Sequence, residues 1–119
     1  MNVALIGASC KPGRYAYLAF RLLREKGHAI FPVHPSLADI EGTPVFSSLK
    51  DIPLPVHTVT LYVSKVHSDA MVDEILNLHP ARIIFNPGAE NEDLQVAAEV
   101  AGIETLKACT LVLLRTEKF

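Results

Sequence analysis

Short apolar runs alternate along this chain with longer segments of helical periodicity, and this alternation limits its fold more than any other feature. Five runs, at residues 3–6, 29–33, 58–63, 82–85 and 103–106, are apolar or β-branched and predict strands. Helical segments connect most of them, and connections of that length allow neighbouring strands to run parallel. The pattern predicts a parallel sheet with helices on both faces.

The segment between the first two strands shows the helical pattern most clearly. Its apolar stripe is formed by Tyr15, Leu18, Ala19, Leu22 and Leu23. This stripe predicts an amphipathic helix over residues 14–26 that ends at Gly27. Weaker stripes predict helices after the third and fourth strands, and residues 110–115 form a short last element of either type.

These elements predict one doubly wound α/β domain over residues 1–119, with a mainly parallel five-stranded sheet. With the strands numbered along the chain, we expect the order 3-2-1-4-5. Pro32 lies within the second strand, where it lacks the N–H that a central strand needs for pairing. We therefore expect a bulge at Pro32, or an end of the pairing there.

Composition excludes several classes of protein. Hydrophobic residues make up 50% and charged residues 20% of the chain, which is typical of a globular domain rather than a disordered one. The formal charge of −2 argues against nucleic acid as a partner. No apolar run approaches the ~20 residues that span a membrane, and the first residues lack the pattern of a signal peptide. We expect a soluble cytoplasmic protein without a membrane partner.

The loop after the first strand is the strongest candidate for a binding site. It reads Gly7-Ala8-Ser9-Cys10-Lys11-Pro12-Gly13-Arg14. Its small residues allow a ligand to approach the backbone, and the N–H groups of the following helix suit a phosphate. Two cations at a helix N-terminus reduce helix stability, and an anionic ligand would relieve that cost. The alternative is a loop of small residues with two solvated cations.

Two other segments limit the choice of ligand. The first turn of the helix after the fourth strand carries Glu90, Glu92 and Asp93, which repel a phosphate. Sites for nicotinamide nucleotides place a carboxylate after the second strand, where it binds the ribose hydroxyls. This chain has no carboxylate there before Asp39, which argues against NAD without excluding it.

No set of residues suggests catalysis or metal binding. The five histidines are dispersed over different elements, and no Ser-His-Asp or Cys-His arrangement is apparent. Cys10 beside two cations is either a reactive thiol or a small packing residue, and the second is the more common case. Its pairing with Cys109 is not expected, because the predicted sheet separates the two loops by roughly 10 Å.

Taken in order, four segments resemble the small stand-alone CoA-binding proteins, whose domain is similar to the N-terminal domain of the succinyl-CoA synthetase alpha subunit. They are Gly7-Ala8-Ser9, Pro32-Val33-His34-Pro35, Asn86-Pro87-Gly88 and Ala108-Cys109-Thr110-Leu111. The resemblance covers essentially the whole chain. It implies a Rossmann-like domain that binds coenzyme A in an extended form across the strand ends and has no catalytic apparatus of its own.

By matching position, the resemblance also implies a set of binding residues. The phosphates would be held by Gly7, Ala8, Ser9, Lys11 and Arg14, and the adenosine would be flanked by Val33, His34 and Pro35. The other wall would be Tyr62, Val63 and Ser64, and the pantetheine arm would lie towards Asn86, Pro87 and Gly88. The chain departs from the family pattern at His34, where Asn is usual, and at Ser36, where a basic residue is common.

Two further interpretations stay open at this point. The first is a small NAD(P)-binding module similar to the domain of redox-sensing repressors. The second is an interaction domain with a vestigial nucleotide crevice, in which Phe20 and Tyr17, beside the predicted stripe, form a homodimer face. The sequence identifies no protein partner, and it does not distinguish free CoA from an acyl-CoA.

Overall fold

The computed structural model describes residues 1–53 and 55–119, and its centre is a five-stranded parallel sheet. The strands of this sheet are β1 (Asn2–Ile6), β2 (Ala29–Val33), β5 (Thr58–Leu61), β6 (Arg82–Phe85) and β7 (Glu104–Lys107). Two further strands, β3 (Asp39–Ile40) and β4 (Thr43–Pro44), form a small antiparallel hairpin. The parallel α/β fold predicted from the sequence is confirmed.

Helices follow β1, β5, β6 and β7, whereas β2 is followed by the small hairpin. The helices are α1 (Tyr15–Glu25), α2 (Lys65–Ser68), α3 (Val72–Asn77), α4 (Glu92–Val100) and α5 (Thr110–Arg115). Short 3₁₀ turns at Leu49–Asp51 and Asp69–Met71 complete the connections. No helix in the described ranges is long and apolar enough to cross a membrane.

The helices lie on both faces of the sheet because successive side chains of each strand point in opposite directions. In β1, Leu5 packs with residues of α1 and α5, whereas Ile6 packs with the cluster that includes Ile75 of α3 and Leu94 of α4. Residues Val3 to Ile6 are all fully buried. A strand covered on both faces therefore reads as a continuous apolar run.

The order of the strands differs from the one expected. It is β2-β1-β5-β6-β7. The third of the parallel strands along the chain, β5, therefore lies beside β1 and not beyond β2. β5 pairs with β1 on one side and with β6 on the other, which places it inside the sheet, and all four of its residues are buried. The expected order 3-2-1-4-5 is wrong, and two strands rather than one separate β1 from β7.

The edge position of β2 accommodates Pro32. Pro32 is paired in register with Leu5, so neither a bulge nor an end of pairing occurs there. Its carbonyl accepts a hydrogen bond of 2.8 Å from the N–H of Phe46, on the side away from β1. The nitrogen of Pro32 faces the same side, where β1 requires no donor from it.

The hairpin after β2 is attached to α1 by one acidic side chain. Glu41, at its tip, accepts hydrogen bonds from the hydroxyl of Tyr17 and, at 2.8 Å, from the guanidinium of Arg24. The hydrogen bond from Tyr17 is the larger cause, and that from Arg24 the smaller, of a pKa of Glu41 below its usual value. Tyr17 is thus engaged within the fold, whereas the homodimer hypothesis placed it on an exposed face.

The buried face of α1 differs from the predicted stripe. Its buried residues are Ala16, Ala19, Phe20 and Leu23, whereas Tyr15 is 72% exposed. Tyr15 is the first residue of the helix and lies at the rim of the sheet, so little of the protein covers it. Phe20 is fully buried, and its predicted place on a dimer face is wrong.

Replacement of Phe20 by alanine tests whether this residue lies on the buried face of α1. We expect Phe20→Ala to lower the free energy of unfolding by about 3–5 kcal/mol, because it removes a fully buried ring. Tyr15→Ala, on the same helix, should change it by less than about 0.5 kcal/mol. Urea denaturation of both variants checks this, and equal losses would contradict the observed packing.

Candidate functional site

A cleft of about 790 Å³ opens at the carboxyl ends of β1, β2 and β5. From β1 the chain crosses to one neighbour, β2, and later returns on the other side as β5. Such a reversal of strand order leaves a crevice between the diverging connections, and ligands of open α/β sheets bind there. The fold thus places a ligand-sized cleft where the sequence predicts one.

Most of the binding residues predicted from the sequence line this cleft. They are Gly7, Ala8, Ser9, Lys11, Arg14, Val33, His34, Pro35, Tyr62, Val63 and Pro87. The other three predicted residues, Ser64, Asn86 and Gly88, lie outside the lining. Ser64 is hydrogen-bonded to His67 at 3.1 Å, and the N–H of Gly88 donates to Glu90 at 3.0 Å.

Gly7 allows the end of β1 to lie against the end of β5. Its φ is +89°, a left-handed conformation that side chains rarely tolerate. A Cβ at Gly7 would be 2.8 Å from Cγ1 of Val63 and 3.0 Å from the carbonyl oxygen of Tyr62. The N–H groups of Gly7 and Ala8 both donate to the carbonyl of Val33 at 3.1 Å. This turn therefore joins three strand ends at the base of the cleft.

The start of α1 has features that favour the binding of an anion. Arg14 occupies the N-cap position without a capping hydrogen bond from its side chain, and the first turn carries no acidic residue. Among the described residues, Lys11 and Arg14 form no ion pair, and no carboxylate lines the cleft. The positive end of the helix dipole and two cations thus face a site without a counterion.

The start of α4 has the opposite character. Its N-cap, Asn91, accepts a hydrogen bond of 3.1 Å from the N–H of Leu94 through its side-chain oxygen. Glu92 and Asp93 occupy the first turn, where their charges stabilise the helix dipole. The N-terminus of α4 therefore needs no external anion, as expected from the sequence.

Asn86 has an internal role beneath the cleft. It is 1% exposed, and its amide nitrogen donates to the hydroxyl of Thr60 and to the carbonyl of Leu61, both at 2.8 Å. Its oxygen accepts the N–H of Thr110 at the start of α5, also at 2.8 Å. The side chain thus joins the ends of β5 and β6 to α5.

Tyr62 forms a wall of the cleft with its ring and points its hydroxyl into the protein. That hydroxyl is buried without a hydrogen-bond partner among the described residues, and the side chain packs in a cluster with Cys109. Burial, with Cys109 as a smaller cause, raises the pKa of Tyr62 above its usual value. The residue is therefore neutral and presents an apolar face to the cleft.

Several lining residues were not predicted as binding residues. They are Ile6, Cys10, Tyr15, Ala16, Leu37, Ser47, His67 and Met71. His67 and Met71 reach the cleft because the connection after β5 is broken into short turns rather than forming one helix. Tyr15 directly follows Arg14 at the start of the helix, and this position in the sequence could have identified Tyr15 as a lining residue.

The cysteines are both free. Cys10 is exposed at the cleft, whereas Cys109 is half-buried beyond β7. With two strands between β1 and β7, about 14 Å of sheet lies between the two loops. In the described part of the chain, no group of three or more His, Cys, Asp or Glu side chains is arranged to hold a metal ion.

Comparison with known proteins gives consistent results. A family model described as a CoA binding domain matches residues 1–115. The crystal structure of an uncharacterized protein superposes with a TM-score of 0.93 at 36% identity, over 99% of this chain and 97% of that one. An uncharacterized Bacillus subtilis protein, YneT, is 25% identical over 92 residues, which are 77% of this chain and 68% of YneT.

A larger relative is the alpha subunit of the ADP-forming acetate–CoA ligase II of Pyrococcus furiosus. It is 33% identical over 65 residues, which are 54% of this chain. Those residues make up only 14% of the ligase subunit, so the likeness concerns one part of that protein.

Substitution of Gly7 tests the geometry at the base of the cleft. We expect Gly7→Ala to lower the free energy of unfolding by about 1–3 kcal/mol, because the methyl group would clash with Tyr62 and Val63, directly after β5, and the φ is positive. Gly13→Ala, in the same loop, meets nothing within 4 Å and should change stability by less than about 1 kcal/mol. Thermal denaturation compares the two, and a harmless Gly7→Ala would refute the close approach.

Proposed function

Because the chain belongs to the family of CoA-binding domains, we propose that its cleft binds coenzyme A or an acyl-CoA. The observation that carries this proposal is the positive charge at the start of α1, above a cleft whose described lining residues include no carboxylate. CoA carries several phosphate groups, and a helix N-terminus with two free cations is a favourable place for them.

The lining residues suggest how the cofactor lies. The loop from Gly7 to Arg14 holds the phosphates, and Val33, His34 and Pro35 flank the adenosine. Tyr62 and Val63 form the facing wall, and the pantetheine arm extends towards Pro87. Asn86, which the resemblance placed at the pantetheine arm, contributes instead by fixing the ends of the strands below it.

We further propose that the domain binds its ligand without transforming it. The small relatives matched over most of their length are uncharacterized, and the ligase relative shares only a fraction of its length with this chain. Ser64 and His67 are hydrogen-bonded, but in the described residues no carboxylate completes a triad with them. We also propose that this binding protein is cytoplasmic, and we name no protein partner for it.

The NAD(P) alternative has no support in the comparisons or in the site. A nicotinamide site would place an acidic side chain after β2 to bind the ribose hydroxyls. Here Val33, His34, Pro35 and Leu37 line that part of the cleft, and the first acidic residue, Asp39, belongs to β3.

Removal of the two cations tests the proposal. We expect Lys11→Ala and Arg14→Ala each to weaken CoA binding by about tenfold at low ionic strength, since each removes a charge-assisted contact with phosphate. The loss should be smaller at high salt, where the charges are screened. Lys26→Ala, beyond the opposite end of α1, serves as the matched control and should leave the affinity unchanged.

Calorimetric titration with CoA and acetyl-CoA measures these affinities. Binding of neither ligand to the unaltered protein contradicts the proposed function and leaves a domain with a vestigial crevice. Equal losses at low and high salt contradict the electrostatic role of the two cations.

A further inference from the structure

The chain leaves α5 through a turn that is strained for its sequence. The N–H of Lys118 donates to the carbonyl of Leu113 at 2.8 Å, and the N–H of Glu117 donates to that of Leu114 at 3.3 Å. Such bonds end a helix through a residue in the left-handed conformation, which is usually glycine. Here that residue is Glu117, with a φ of +57°. Because a side chain disfavours this conformation, other contacts must hold the turn in place.

The ring of Phe119 makes contacts that can hold the turn, at the amino edge of the sheet. It is half-buried and packs in a cluster with Val3 of β1 and Leu114 of α5. The guanidinium carbon of Arg82, in β6, lies 4.5 Å from the centre of the ring. The ring of His28 stands in a T-shaped arrangement with it, and the two ring centres are 5.1 Å apart. Phe119 is thus held by a strand and by the loop before β2.

His28 is also hydrogen-bonded to a cation. The ammonium of Met1 lies 3.0 Å from Nδ1 of His28. An ammonium group only donates, so Nδ1 accepts and the neutral ring carries its proton on Nε2. A second proton would occupy Nδ1 and replace this hydrogen bond by repulsion between two cations. Burial is the largest cause of a pKa of His28 below its usual value, and the charges of Met1 and Arg82 are smaller causes.

The groups around Arg82 provide no counterion for a charged His28. Nε of Arg82 donates to the hydroxyl of Thr58 at 2.8 Å, and the same hydroxyl is hydrogen-bonded to Nδ1 of His57 at 2.8 Å. The charge of Glu104, in β7, attracts Arg82. Among the described residues, however, neither Arg82 nor His28 forms an ion pair. Protonation of His28 therefore adds a positive charge to a cluster that is already positive.

We propose that residues 116–119 form an acid-sensitive clasp on the amino edge of the sheet, closed while His28 is neutral and opened when His28 takes up a proton. In the closed state, Phe119 holds the turn at Glu117. In the open state, the imidazolium moves away from Met1, Phe119 loses its contact with His28, and the turn relaxes. The clasp lies at the edge opposite the cleft, so this inference is independent of the proposed function.

The direction of the pH dependence follows from the shift at His28. Its protonation is disfavoured in the closed state, so the clasp has its full stability above the usual pKa of a histidine, about 6.5. The stability is lost as the pH falls below that value.

NMR relaxation of the ¹⁵N-labelled protein, recorded between about pH 8 and about pH 5, tests the clasp. We expect the heteronuclear NOE of the Lys118 amide to be that of an ordered residue at the upper end of this range. It should fall to that of a mobile tail at the lower end. The amide of Leu5, in the centre of β1, should stay ordered throughout.

Four substitutions identify the parts of the clasp. His28→Gln cannot be charged in this range and should remove the pH dependence. His57→Gln is the matched control, an exposed histidine of the same edge, and should leave the transition in place. Glu117→Gly favours the left-handed turn and should move the transition to lower pH. Phe119→Ala should leave residues 116–118 mobile at every pH.

The same measurements include the results that overturn the inference. These are a segment of the unaltered protein that is ordered, or mobile, at both ends of the range, and an ordered segment in Phe119→Ala. A transition that persists in His28→Gln, or that disappears in His57→Gln, also overturns it, because the proton is then bound elsewhere.

Discussion

The close contact between the end of β1 and the end of β5 is the constraint on which the rest of the site depends. Gly7 makes it possible, because its missing Cβ leaves room for the backbone of Tyr62 and the side chain of Val63. The N–H of the same residue bonds to Val33, so the end of β2 is fixed by the same turn. The loop that leaves this point then carries Lys11 and Arg14 to the start of α1, beside the cleft.

A second group of interactions supports the site from below. Thr60, Asn86 and Thr110 form a buried network in which each side chain has a partner, including a 2.8 Å bond between the two threonine hydroxyls. Buried polar groups stabilise a fold only when their hydrogen bonds are satisfied, and a satisfied network also fixes a unique arrangement. The network holds β5, β6 and α5 in register while Gly7 joins β5 to β1, so the cleft has a rigid base.

Periodicity was sufficient to predict the five parallel strands, the helix that follows β1 and the loops that form the cleft, because burial on both faces leaves a clear apolar pattern; it did not predict the short strands β3 and β4. The strand order was not predictable in this way, because an apolar run indicates a buried strand but not which distant segments lie beside it, as β1 and β6 lie beside β5. The internal role of Asn86 was missed for the same reason. His67 and Met71 were missed because the turns after β5, rather than one continuous helix, bring them to the cleft.

The proposed binding of CoA in the cleft at the ends of β1, β2 and β5 is tested most directly by chemical-shift mapping of the ¹⁵N-labelled protein during titration with CoA. We expect the largest amide shifts in residues 7–15 and 34–37 and at Val63, His67 and Met71. Shifts concentrated in the groove between α1 and α5, around Leu18, Leu111 and Arg115, or the absence of any shift, would contradict it.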